Sequence, residues 1–269
     1  MSHYICTTCG TQFAPSSRQP ARCPICDEER QYVNWRGQTW VTSEDLRRDH
    51  RNVISDEEPG LIGIRTEPSF AIGQRALLVQ TPAGNILWDC VSLIDDETAD
   101  AVRRLGGVAG IAISHPHYYS SMVDWSQAFG GVPVYLHVDD RAWVMRTDPS
   151  IVFWDGDTHV LPGELTLLRC GGHFPGAAVL HWPGGAGGHG VLLTGDTLQV
   201  VPDRRYVSFM YSYPNLIPLD AATVRRIARA ISPFRFDRIY GAFAGRVIAT
   251  GARAAVQRSA DRYVRALEG

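Results

Sequence analysis

The sequence predicts a layered α/β body preceded by a small metal-stabilised knuckle. Three observations predict it. Four of the six cysteines fall within the first 26 positions, as two Cys-x-x-Cys pairs. From about Gly60 onward, short apolar runs alternate with Gly- and Asp-containing turns and with helical patterns, which is the signature of strands and helices in layers. Histidines and an aspartate then recur directly after apolar runs, where strand ends carry chemistry.

In chain order, residues 1–36 are short, polar and rich in Cys and Pro, too few to bury a core of their own. The remainder, 37–269, is the main body. Between Gln38 and Glu58 the charged stretch SEDLRRDHRN reads as a connecting helix begun by Ser43. LIGIRTEP, FAIGQRALLVQT and GNILWDC read as antiparallel strands, with TPAGN as a hairpin turn. A helix is expected from about Asp96 to Leu105, presenting Ala101, Val102 and Leu105 and stopped by Gly106-Gly107. VAGIAIS (108–114) is a buried strand running into HPHYYS. A helix over 121–129, the strand VPVYLHV and a helix over 139–146 follow. THVL, ELTLLRC, AAVLHW and GVLLTGD restore the strand pattern, and two Arg-rich helices, 221–230 and 252–267, flank the strand RIYGAF.

Composition narrows the function classes. Hydrophobic residues are 45% and charged residues 20%, as in a globular protein. Net charge is -2 and every basic residue is Arg, so no basic footprint points to nucleic acid or an anionic membrane. MSHYICTTCG lacks the basic and apolar regions of a secretory signal, and no apolar run reaches the ~18 residues of a spanning helix. The expected compartment is the cytoplasm, where clustered cysteines bind metal rather than pair as disulfides.

Cys6-x-x-Cys9-Gly and Cys23-Pro-x-Cys26 are thirteen residues apart. Two such turns present four thiolates tetrahedrally, and a fragment this small gains its folding energy from the ion. The pattern resembles rubredoxin-like and zinc-ribbon knuckles. That resemblance leaves zinc and iron both open, and zinc is the expectation because nothing else in the chain looks like a redox cofactor site.

The second constellation is Ser114-His115-Pro116-His117, then Gly171-Gly172-His173-Phe174-Pro175-Gly176, then Leu193-Thr194-Gly195-Asp196-Thr197. Residues two apart in an extended segment point the same way, so His115 and His117 are expected to face one point, joined by His173 and Asp196. These motifs, in this order and with the Trp154–Thr158 turn, resemble the metallo-β-lactamase superfamily from about Gly60 to the C-terminus. The resemblance implies a four-layer αββα sandwich with the metal at the edge between the sheets. It also implies His115, His117 and His173 as first-metal ligands and Asp196 as the bridging carboxylate. Where the family pattern HxHxDH continues, this chain has Tyr119 and Ser120, and Ala242 or Phe243 stands in place of the late histidine. A single-metal site is therefore expected, holding zinc or iron.

The leading functional expectation is a metal-dependent hydrolase whose three-His site, with Asp196, activates water as hydroxide against a small ester, thioester or amide. Asp196 would act as ligand or general base, and Tyr119, or its neighbour Tyr118, would donate to a developing oxyanion. Two alternatives from other classes remain: a non-catalytic protein docking a partner through the knuckle, and an iron-binding redox protein. Asp89 is expected to support the ligand loop, Cys90 and Cys170 to pack, and His137 to cap a strand. The aromatic loop 201–218 is expected near the metal, as a substrate wall, a partner surface or a core cover.

Overall fold

A computed structural model describes residues 1–269. Seven strands make the first sheet in chain order: Arg51–Glu58, Leu61–Glu67, Arg75–Val79, Ile86–Trp88, Gly110–Ala112, Val134–His137 and Ile151–Trp154. Six make the second: Thr158–Leu161, Leu165–Arg169, Ala178–Trp182, Val191–Leu193, Arg238–Tyr240 and Val247–Ile248. The chain passes between sheets through the turn Asp155–Asp157. Pairing is antiparallel except at four neighbours, each reached by a crossover that carries a helical segment. Asp96–Arg104, Met122–Ala128 and Ala221–Ile231 supply three of these crossovers.

Strand alternation sorts the core into three layers. Leu77 and Val79 point inward and meet Leu167, Leu180 and Leu193 of the facing sheet. Ala76 and Leu78 point outward and meet Ala99, Val102, Met122 and Trp125 of the helices covering the first sheet. On the far side Leu168, Val179 and Leu192 pack on Val224, Ile227 and Ile231 and on the terminal helix Ala252–Glu268. That helix buries Ala252, Ala255, Val256, Ser259, Ala260 and Val264, one stripe at helical period. The architecture is the expected αββα sandwich. Leu180 is wholly enclosed between the sheets. Leu180→Ala should therefore cost about 2–5 kcal/mol, read as a lower urea midpoint at unchanged slope.

Four local expectations need correcting. The stretch 38–58 is not one helix. Thr42, not Ser43, caps a helix Ser43–Asp49 through a capping box with Asp45, and Arg51–Glu58 is an edge strand. Its polar residues are half-buried, which hides the period-two pattern. The helix Asp96–Arg104 buries Thr98, Ala99 and Val102, with Asp95 as N-cap. Residues 138–143 form a 3-10 segment rather than an α-helix over 139–146. The HPHYYS segment is not extended, because Pro116–Tyr118 is a single 3-10 turn.

At the N-terminus Tyr4–Cys6 pairs with Trp40–Thr42, and Pro24–Asp27 forms one helical turn. This segment is tied to the main body. Gln12 N–H donates to Ser120 O at 3.0 Å, Ala14 N–H to Met145 O at 3.1 Å, and Ser92 Oγ–H to Gly10 O at 2.8 Å. Gly10 has φ +81°, and a Cβ there would lie 2.5 Å from Ser92 Oγ, so the turn after Cys9 docks only as glycine. No helix is long and apolar enough to cross a membrane.

Candidate metal centres and their pocket

The four cysteines converge at the centre of the N-terminal segment, all buried, with every Sγ within 4.8 Å of the others. Cys6 Sγ lies 3.6 Å from Cys26 Sγ, and Cys9 Sγ 3.7 Å from Cys23 Sγ. Four thiolates at about 2.3 Å around a tetrahedral ion stand about 3.8 Å apart, so the set fits a metal without rearrangement. The crowded thiols share protons. Hydrogen bonding from Cys23 pushes Cys6 far down toward thiolate, and bonding with the same Cys23 pushes Cys9 and Cys26 up.

His115, His117 and His173 form the second group, also buried and within 4.8 Å of one another. His115 is extended and the 3-10 turn after it swings His117 back, so the turn, not strand alternation, brings the two together. His173 arrives from the loop after Leu165–Arg169. Its ring lies 4.7 Å from His115 and 4.9 Å from His117, centroid to centroid. His117 Nδ1 and His173 Nε2 are 3.1 Å apart, against about 3.3–3.4 Å for imidazoles 2.0–2.1 Å from one tetrahedral ion.

The hydrogen bonds behind the rings set which nitrogens are free. Ser114 N–H donates to Asp89 Oδ1 at 2.8 Å. Ser114 Oγ also lies 2.9 Å from His115 Nδ1. When Nδ1–H donates to Ser114 Oγ, the unpartnered Nε2 lone pair is left facing the group. His173 Nδ1–H donates to the Tyr211 carbonyl at 2.8 Å, which frees its Nε2 likewise. Burial pushes His115 and His117 well below the usual histidine range and His173 down to about 4, so all three are neutral at neutral pH. Burial lifts Asp89 to about 7. Gly195 (φ +50°) lets the Asp196 turn lie against this network, since a Cβ there would come 2.6 Å from Ser114 Oγ.

Four atoms here are buried without a partner: His115 Nε2, His117 Nε2, Asp196 Oδ1 and Tyr118 Oη. His115 Nε2 and Asp196 Oδ1 are what a bound ion and its water would satisfy, whereas His117 turns Nδ1, not Nε2, toward His173. Asp196 is not among the donors grouped within 4.8 Å, but it lines the same pocket as His117 and His173. Burial pushes it up to about 6, opposed by the Tyr118 hydroxyl beside it. Tyr118 is stacked edge-on to His115 at 4.4 Å.

Tyr119 faces away from the histidines. It is buried in the core of the first sheet, its hydroxyl donating to Asp140 O at 3.3 Å, because successive residues of a 3-10 turn point in different directions. Ser120 also turns inward, to Cys90 O and Gln74. Ala242 is buried in the same core, while Phe243 lines the pocket. Cys90 and Cys170 are core residues, and His137 ends its strand, bonded to Gly156 O and Asp139 N–H. Asp89 supports the ligand loop.

The pocket is about 220 Å³. The aromatic loop contributes Tyr213 and Pro214, and the N-terminal segment contributes Thr8, Gln31 and Tyr32. These last three had no sequence signal. Two larger grooves, about 620 and 610 Å³, lie on the C-terminal helix pair, away from both ligand groups.

No family model matches the chain. It is 51% identical over 269 residues to the uncharacterized protein YmaE of Bacillus subtilis (strain 168), covering 99% of this chain and 97% of that one. Among solved structures it resembles the DIM-1 metallo-β-lactamase (TM-score 0.60, 15% identity, 80% of this chain and 98% of that one). TMB-1 is similar to the same degree (TM-score 0.59, 13% identity, 81% and 99%). A B3 metallo-β-lactamase with an active-site glutamic acid superposes at TM-score 0.52 with 16% identity, over 84% and 92%. Identities this low speak for the fold alone. The chain belongs to the family of the Bacillus subtilis protein YmaE and has the metallo-β-lactamase fold.

Proposed function

We propose that this protein is a single-metal hydrolase of small acyl compounds: esters, thioesters or amides. One observation carries the reading. Three neutral imidazoles converge on one point beside a small pocket, two of them held from behind by Ser114 and by the Tyr211 carbonyl, and the pocket also holds an unpartnered carboxylate oxygen.

A divalent cation held by His115, His117 and His173 would supply Lewis acidity and would bring the pKa of a water toward about 7. We assign zinc to it and to the cysteine group, since neutral imidazoles and thiolates in tetrahedral sets suit zinc. Asp196 Oδ1 takes the proton from the attacking water and returns it to the leaving group. Tyr118 orients that carboxylate and donates to the negative oxygen that develops on the substrate. The apolar rim of Ile72, Pro214 and Phe243 keeps bulk water out. What favours catalysis over a purely partner-binding role is that the knuckle turns Thr8, Gln31 and Tyr32 into this pocket rather than only outward.

The test is hydrolysis of a panel of acetyl esters, acetyl thioesters and acetamides before and after chelation, with metal identity read by elemental analysis. Activity should vanish with the histidine-site metal and return with zinc. Asp196→Asn should lower kcat by about 10²–10⁴-fold. Undiminished turnover by metal-free protein would sink the reading, and a coloured, iron-loaded preparation would move it to redox chemistry.

A further inference from the structure

The segment that follows the last cysteine crosses the mouth of the histidine pocket and is held there from both sides. Asn215 Nδ2–H donates to Glu29 O and to Gln31 O, both at 2.8 Å. Ser212 Oγ–H donates to Arg30 O at 3.1 Å, and the Tyr211 hydroxyl to Glu28 at 3.2 Å. The Arg30 guanidinium sits 4.5 Å from the Phe174 ring and 4.9 Å from the Tyr211 ring. Residues 28–31 are thus fastened to the same loop whose Tyr211 carbonyl orients His173.

One side chain of this strap has no role in holding it. Gln31 is 3% exposed and lines the pocket with His117, His173 and Asp196, yet its Oε1 is shut off from solvent and has no hydrogen-bond partner. A buried amide oxygen left unpaired costs about 1–3 kcal/mol. Its backbone is pinned beside the pocket by Asn215, so the side chain pairs by turning toward a group bound there. A group entering the pocket is what would complete it.

We infer that Gln31 is a substrate-binding residue, accepting a hydrogen bond from an N–H or O–H next to the acyl carbon of the compound bound over the histidines. The inference rests on the hydrolase reading for its acyl class, but its recognition step is separate from turnover. A pocket of about 220 Å³ admits only a small molecule, so one hydrogen bond is a large share of its recognition. The four-cysteine segment then does more than brace the fold: it supplies a specificity contact that a chain beginning after residue 36 would lack.

Acetohydroxamate and N-methylacetohydroxamate differ in the N–H alone, apart from the methyl group. Their binding to zinc-loaded wild type and Gln31→Leu, measured by calorimetry with metal content checked afterward, forms a cycle in which general effects of the substitution cancel. Wild type should prefer the N–H compound, and Gln31→Leu should shrink that preference by about 10-fold. The same preference in both proteins overturns the inference, as does failure of fully metal-loaded wild type to bind either compound. If the cycle shows coupling while no ester, thioester or amide is turned over, the hydrolase reading fails and Gln31 stands as a ligand contact.

Discussion

His115→Ala should reduce bound metal from two ions per chain to one and abolish metal-dependent turnover. Two separate donor groups exist, and the substitution touches only one of them. His115 is the ligand whose freedom is most tightly fixed, with Ser114 behind Nδ1 and Tyr118, His117 and His173 packed on its ring. Losing it leaves two imidazoles, of which His117 offers Nδ1 and His173 Nε2, too few to hold an ion against water. Turnover should fall by more than the about 10–100-fold usual for a residue behind a ligand. Ser114→Ala provides that comparison. It should retain both ions at saturating zinc but bind the second about 10–100-fold more weakly, since His115 Nδ1 would lose its partner while Asp89 keeps the Ser114 backbone N–H. Elemental analysis after dialysis against graded zinc separates the two variants. Two ions still bound to His115→Ala would mean that Asp196 or water completes a site the imidazoles do not define.

The parts of this molecule that were legible in its sequence are those whose chemistry is local. Two Cys-x-x-Cys turns need only their own backbone to aim four sulfurs, and apolar runs ending in His115, His173 and Asp196 need only the sheet register to bring strand ends together. What was illegible depends on direction or on distant docking. Whether Tyr118 or Tyr119 faces the metal depends on a 3-10 turn in place of an extended segment, a choice made by Pro116 and the packing of Tyr119 on Asp140 O. Gln31 becomes a pocket residue only because Asn215, 184 positions away, grips its carbonyl. Residues 51–58 escaped as a strand because an edge strand with polar, half-buried residues shows no apolar alternation.

Removing the cysteine-site metal should damage the histidine site as well. The N-terminal segment has almost no apolar core beyond the cysteines and Ile25, with Phe13, Trp40, Ile72, Trp143 and Met145 packed around them. In isolated zinc-binding peptides, binding a structural zinc contributes on the order of 10 kcal/mol, so Cys9→Ser should leave this segment unable to hold its fold. Limited trypsin digestion should then cut after Arg30, whose guanidinium the wild type packs between Phe174 and Tyr211, and faster than in wild type after the exposed Arg18, Arg22 and Arg36. We propose residues 1–36 and 37–269 as the two structural units, but their contacts argue that they do not act independently. Once residues 28–31 come free, Tyr211 loses the Glu28 contact and the stacked Arg30, and its carbonyl no longer holds His173 in one orientation. Zinc at the histidine site should weaken by about 10–100-fold, as when any group behind a ligand is removed. If Cys9→Ser is clipped within its first 36 residues yet binds the second zinc as wild type does, the main body orders its own ligands, and the knuckle acts on the pocket only through the wall it presents to substrate.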